Sequence, residues 1–176
     1  MKQAIGVLAV ALAMSCLAVA QNPVMDSVRQ TMQRQEKNLI GAAQEMPTDK
    51  YTFHPTPQQM TFGMLVMHIA ESNDFLCSRI GGVEAPKQGK VKLEATDPKD
   101  KLVSALKSSF DFCTSALSKV NDSDLGTQVK VWGGHEMSKA GAAIGLTNDW
   151  ADHYSQAAVY LRLNGLLPPS AKKKDE

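Results

Sequence analysis

Val103, Leu106, Phe110, Cys113, Leu117 and Val120 follow one another at alternating spacings of three and four residues. That period puts all six on one stripe of an α-helix and on no single face of a strand. A stripe of this kind has to be covered by other apolar surface, and the chain supplies three further helical segments to cover it. Met25, Val28, Met32 and Leu39 share a face between about Val24 and Gln44, with Pro23 suited to the first turn and Pro47 ending the segment. A second helix is expected to start at Thr56-Pro57-Gln58-Gln59, where Thr at the N-cap, Pro at N1 and Gln at N3 form a capping box, and to reach about Ile80 before Gly81-Gly82. The helix bearing the six-residue stripe starts at Asp97-Pro98, again an N-cap with Pro at N1, and breaks at Asn121-Asp122-Ser123-Asp124. The last runs from about Ser138 to Leu163, where Asn164-Gly165 and Pro168-Pro169 stop it.

Four long amphipathic helices with almost no strand predict an all-α domain, a four-helix bundle. The connections between helices two and three and between three and four are long enough to act as crossovers, so a simple up-down order is not required. Residues 83–96 are polar, with Lys87, Lys90 and Lys92, and read as a surface loop. Near residues 128–136, Val129, Val131 and Trp132 precede the Gly133-Gly134 turn and suit a short strand pair. The Lys-rich tail from Ala171 to Glu176 is expected to be disordered. Met60, Met64 and Met67 lie in an otherwise apolar helix and read as core.

The amino terminus obeys a different pattern. Lys2 is the only charge among the first 20 residues, an apolar run from Ile5 follows, and Ala18-Val19-Ala20 ends it in a small-x-small pattern. These are the parts of a cleavable export signal, and the apolar run is short for a membrane span. Ala13-Met14-Ser15 before Cys16 is a poor lipobox. The expected organisation is a signal at 1–20, a helical domain at 21–170 and a tail at 171–176, with the processed protein periplasmic or extracellular. Cleavage removes one of 19 Lys+Arg and none of 18 Asp+Glu, leaving a formally neutral chain. No basic patch interleaved with aromatics favours nucleic acid. Cys77 and Cys113 remain. An exported chain can join them as a disulfide, or they can pack as buried thiols; their spacing is not that of a metal pair.

Two polar features stand inside apolar surroundings. On the last helix, Ala142, Leu146, Asp149, His153, Gln156, Tyr160 and Leu163 form a stripe that is apolar at both ends and polar in the middle, with Asp149 and His153 side by side at four residues' separation. On the second helix, His68 is the only polar side chain in Phe62-Gly63-Met64-Leu65-Val66-Met67-His68-Ile69-Ala70. Buried polar groups need a partner or a metal. Spacing alone leaves both readings open, a core His bonded to a carbonyl or to Asp149, or a ligand set. His54 and His135 sit in loops and read as surface residues.

Asp152-His153-Tyr154-Ser155-Gln156, followed by Tyr160-Leu161-Arg162-Leu163-Asn164-Gly165-Leu166-Leu167-Pro168-Pro169, resembles the closing signature of the DinB-like (DinB/YfiT) proteins. Met60-Thr61-Phe62-Gly63 leading to His68-Ile69-Ala70 resembles that family's second-helix motif. The resemblance spans roughly residues 24 to 169. It implies a four-helix bundle with a divalent metal held by one His of the second helix and two residues four apart on the fourth, here His68, Asp149 and His153. Many relatives have His where this chain has Asp149. The resulting two-His, one-carboxylate set suits Zn, Ni, Mn or Fe and favours harder ions more than three imidazoles would. Gln156 and Glu71, each about one turn from a ligand, are candidates to orient the ligands or a bound water. The resemblance also implies a homodimer and a small-molecule substrate or ligand. Some relatives are transferases or isomerases that use low-molecular-weight thiols. The expectation is a metal-dependent hydrolase or transferase; the alternative is an exported bundle that binds metal or a small ligand without turnover, in a stress-related role. Catalytic residues beyond the ligand set are not marked by any motif.

Overall fold

The computed structural model describes residues 22–86 and 92–172. The expected export signal, Lys87 and Lys90 of the long loop, and residues 173–176 of the tail lie outside them. Four helices form the body: α1 (Pro23–Glu45), α2 (Phe62–Gly81), α3 (Lys99–Leu117) and α4 (Lys139–Leu163). Between α3 and α4 two short antiparallel strands, β1 (Gln128–Lys130) and β2 (Glu136–Ser138), pair with Gln128 opposite Ser138 and Lys130 opposite Glu136. The stripes expected on α1 and α3 are buried, and Phe62, Phe110, Trp150 and Tyr160 fill the centre. Among the described residues no helix is long and apolar enough to cross a membrane.

Contacts along the helices give their directions. Asn73 and Cys77 of α2 meet Ser109 and Cys113 of α3 in the same order, so these two helices run parallel. Tyr160 reaches Met60 while Trp150 reaches Asn73, so α2 and α4 run antiparallel. Arg29 bonds Leu117 while Lys99 bonds Met46, so α1 and α3 are antiparallel. Each of α1 and α2 packs against both α3 and α4, which places α1 diagonally across from α2. The order is therefore not a simple up-down one. The connection from α2 to α3 has to return along the bundle, which is why it is long.

It does not return wholly on the surface. Leu93 is buried in the core, and the carbonyl of Ala95 lies where a Cβ on residue 63 would stand, at 2.5 Å. Only glycine at position 63 lets the connection cross α2 there.

Other expectations are corrected. α2 begins at Phe62, not at Thr56. The Phe62 and Gly63 N–H groups are bonded to the Phe53 and Tyr51 carbonyls at 2.9 and 2.8 Å, so the preceding chain occupies the donors that a longer helix would need. Thr61 is the cap, its hydroxyl accepting from the Met64 N–H at 3.2 Å, while Thr56 and Gln59 close an isolated turn. Asp97 does not cap α3, whose N-cap is Pro98. The Asp97 carboxylate instead bonds Lys101 and the Glu94 N–H, and these bonds hold its pKa below the ordinary carboxylate value. Met64 is 43% exposed rather than core. The tail keeps order further than expected, because Ala171 ends a 3-10 turn and Lys172 pairs with Glu45 at 2.7 Å.

Candidate metal centre

α2 and α4 are held face to face at two levels. At one, the Tyr160 hydroxyl donates to the Met60 carbonyl at 2.8 Å. At the other, the Trp150 indole N–H donates to Asn73 Oδ1 at 2.6 Å. Between these levels His68 meets His153, with ring centroids 4.9 Å apart and planes nearly perpendicular. Asp149, one turn before His153, brings Oδ1 to 3.2 Å from His153 Nε2. One donor atom from each of His68, Asp149 and His153 lies within 4.8 Å of the other two. Antiparallel helices packed through Trp and Tyr thus bring together residues 68 and 153 although 85 positions separate them.

The cluster is partly open to solvent. His153 is buried, whereas His68 and Asp149 are only partly so. Asp149 Oδ2 and His153 Nδ1 are buried and have no hydrogen-bond partner. An orphaned buried polar atom is costly, and a divalent ion is a partner that suits the Asp149 carboxylate and one nitrogen of each imidazole alike. The donor set and the orphaned carboxylate oxygen therefore fit a metal, with coordination positions left toward the open side.

Gln156 does not turn to the three donors; its amide donates to Asp152 Oδ2 at 2.8 Å. Asp152 in turn lies 4.0 Å from His153 Nδ1, a neighbour that the sequence reading passed over because it is an exposed carboxylate on the flank of the helix. Glu71 is half-buried on α2 and acts electrostatically on Asp74, whose carboxyl is pushed up to about 6 first by burial and then by Glu71. His54 and His135 are both exposed and are not part of the cluster. Cys77 and Cys113 are joined in a disulfide, with both sulfurs buried. Tyr154 bonds Ser170 at 2.7 Å and ties the segment after α4 back onto the helix.

Residues 31–157 match the DinB superfamily. The chain belongs to that superfamily. Solved structures resemble it across most of their length. A DinB-like protein of Bacillus subtilis is 15% identical, with a TM-score of 0.65 over 84% of this chain and 99% of that one. A DinB-like protein of Bacillus cereus is 18% identical, with a TM-score of 0.68 over 82% and 95%. A conserved protein of Enterococcus faecalis is 16% identical, with a TM-score of 0.64 over 80% and 96%. At these identities the likeness establishes the fold. No curated protein matches the chain. Within the DinB bundle, His68, Asp149 and His153 form a group that can hold a metal ion.

Proposed function

We propose that this chain is an exported DinB protein that binds a divalent metal through His68, Asp149 and His153 and uses it in metal-dependent hydrolysis or group transfer. The observation that carries the reading is the convergence of the three donors within 4.8 Å together with the unpartnered, buried Asp149 Oδ2. A divalent ion held on one side only would lower the pKa of a bound water or thiol and polarise a substrate oxygen. The protein's own part is to hold two imidazoles and one carboxylate in place and to leave the other side open. The Cys77–Cys113 disulfide supports export, since such bridges persist in oxidising compartments. That setting favours hydrolysis over transfer to a low-molecular-weight thiol, because water is always present and reduced thiols are scarce there.

Elemental analysis of the processed protein, recovered from the exported fraction, tests the reading. About one equivalent of divalent metal per chain is expected, as three protein ligands and an open position hold a single ion. His68→Ala should lose most of it while keeping its helical circular dichroism. Substoichiometric metal in the unchanged protein, or unchanged content in His68→Ala, would sink the proposal. Stoichiometric metal with no turnover in hydrolysis and thiol-transfer screens would leave a metal-binding bundle without catalysis.

A further inference from the structure

Three buried polar side chains form a chain across the bundle beside the cluster. Trp150 Nε1 donates to Asn73 Oδ1 at 2.6 Å, and Asn73 Nδ2 donates to Ser109 Oγ at 3.0 Å. The Ser109 hydroxyl in turn donates to the Leu106 carbonyl at 2.8 Å. Asn73 and Trp150 are fully buried and Ser109 nearly so. Buried amides are retained at a cost in desolvation unless their bonds specify something an apolar core would not.

What these bonds specify is register. An apolar interface lets two helices slide by fractions of a turn at little cost, whereas a hydrogen bond between two fully buried groups has one geometry. Trp150 directly follows Asp149 and lies three residues before His153, while Asn73 lies five residues after His68 on the same helix. The Trp150–Asn73 bond therefore sets how far α4 is advanced along α2. That advance decides whether His68 stands level with His153 and Asp149. The tie from Asn73 to Ser109 has a different object. It fixes α2 against α3, a register already fixed four residues further along both helices by Cys77–Cys113, and α3 contributes no donor to the cluster.

We propose that Asn73, acting through Trp150, is a positioning residue for the metal centre: it pins the axial register of α2 and α4 and so holds His68 opposite Asp149 and His153. This rests on the metal-binding reading above. It predicts an asymmetry between the two halves of the network. Losing the Trp150 bond leaves only the Tyr160–Met60 bond, which holds the chain two residues before α2 and not α2 itself, so the ligands shift against one another, whereas losing the Ser109 bond leaves the disulfide in charge of the same register between two helices.

The test titrates zinc into the disulfide-bonded, metal-stripped chain by calorimetry and records the visible spectrum of the cobalt(II) form. Trp150→Phe should weaken zinc binding about tenfold or more, the scale of disturbing the support of a ligand set, and alter the cobalt bands. Ser109→Ala should lower thermal stability yet bind zinc as the unchanged protein does. Should Trp150→Phe fail to fold, the pair Asn73→Leu with Trp150→Phe replaces both polar partners by apolar ones and should show the same weakened binding. Unaltered zinc affinity in whichever of these variants folds overturns the inference, as does an equal loss in Ser109→Ala. An unchanged protein that takes up none of zinc, cobalt(II), nickel(II), manganese(II) and iron(II) overturns the metal reading and this inference together; normal binding by protein and variants alike overturns the inference alone.

Discussion

Asp74 carries a carboxyl on α2 whose Oδ1 is buried without a partner. Burial, and then the neighbouring Glu71, raise its pKa from 3.8 to about 6. Between those two values the folded chain binds more protons than the unfolded one, so stability falls as pH rises from about 4 to 6 and the penalty is fully present above that. Asp74→Asn keeps the shape and removes the charge. It should raise the melting temperature at pH 8 and leave it unchanged at pH 4, as thermal melts at the two pH values would record; equal effects at both would refute the account. At the same scale, the three candidate ligands were legible because each interrupts an apolar stripe. His68 is the only polar side chain in its run, and Asp149 and His153 sit in the middle of theirs. Trp150 was not legible in that way. The stripe read on the last helix omits it, yet it is fully buried. The stripe that packs is Ala143, Leu146, Trp150, His153, Ala157 and Tyr160, again at three and four residues. Alanines and a His in that row dilute the hydrophobic signal, and Asn73, its polar partner, reads as a surface residue until α4 is placed against it.

Among the elements, the start of α2 shows where local signals and tertiary bonds compete. Thr56-Pro57-Gln58-Gln59 has the residues of a capping box, and locally it makes a turn. The helix waits until Thr61 because Tyr51 and Phe53 bind the first free N–H groups from across the loop. The Tyr51 hydroxyl is itself anchored on the Ala43 carbonyl at 2.6 Å, so this loop is fixed to α1. No sequence pattern announces a cap that depends on a bond between a loop and a distant helix end. Thr61→Ala should therefore cost about 1 kcal/mol of unfolding free energy, the usual loss for a cap hydroxyl. Thr56→Ala, at an exposed turn, should stay within about 0.5 kcal/mol. Urea unfolding of the two variants checks this, and the reverse order would mean that the helix starts earlier. The start of α4 was legible to within one residue: Ser138, expected as its first residue, is its N-cap, and its hydroxyl accepts from the Gly141 N–H at 3.1 Å.

At the level of the molecule, helix count and bundle class follow from periodicity, but the order of packing does not. Periodicity says that each helix has an apolar face; it says nothing of which neighbour covers it. Of the two long connections, the one from α2 to α3 is the crossover, and its length is explained by two parallel helices that must be joined from opposite ends of the bundle. The disulfide closes that same loop, between cysteines 36 residues apart. Holding a loop of this size shut in the unfolded chain should stabilise the fold by about 3–4 kcal/mol on the chain-entropy argument. Cys77→Ala with Cys113→Ala should accordingly lower the urea midpoint by that equivalent, while thiol titration of the unreduced, denatured, processed protein without Cys16 shows none free. A midpoint that does not move would mean that packing alone holds α2 against α3. The metal centre should respond differently. Its donors lie on α2 and α4, and the disulfide joins α2 to α3, so the double variant should bind zinc with undiminished affinity at temperatures where it remains folded. Stability and ligand placement are thus entrusted to different bonds of one helix: Cys77 secures α2 within the fold, and Asn73 aligns it with the helix that completes the site.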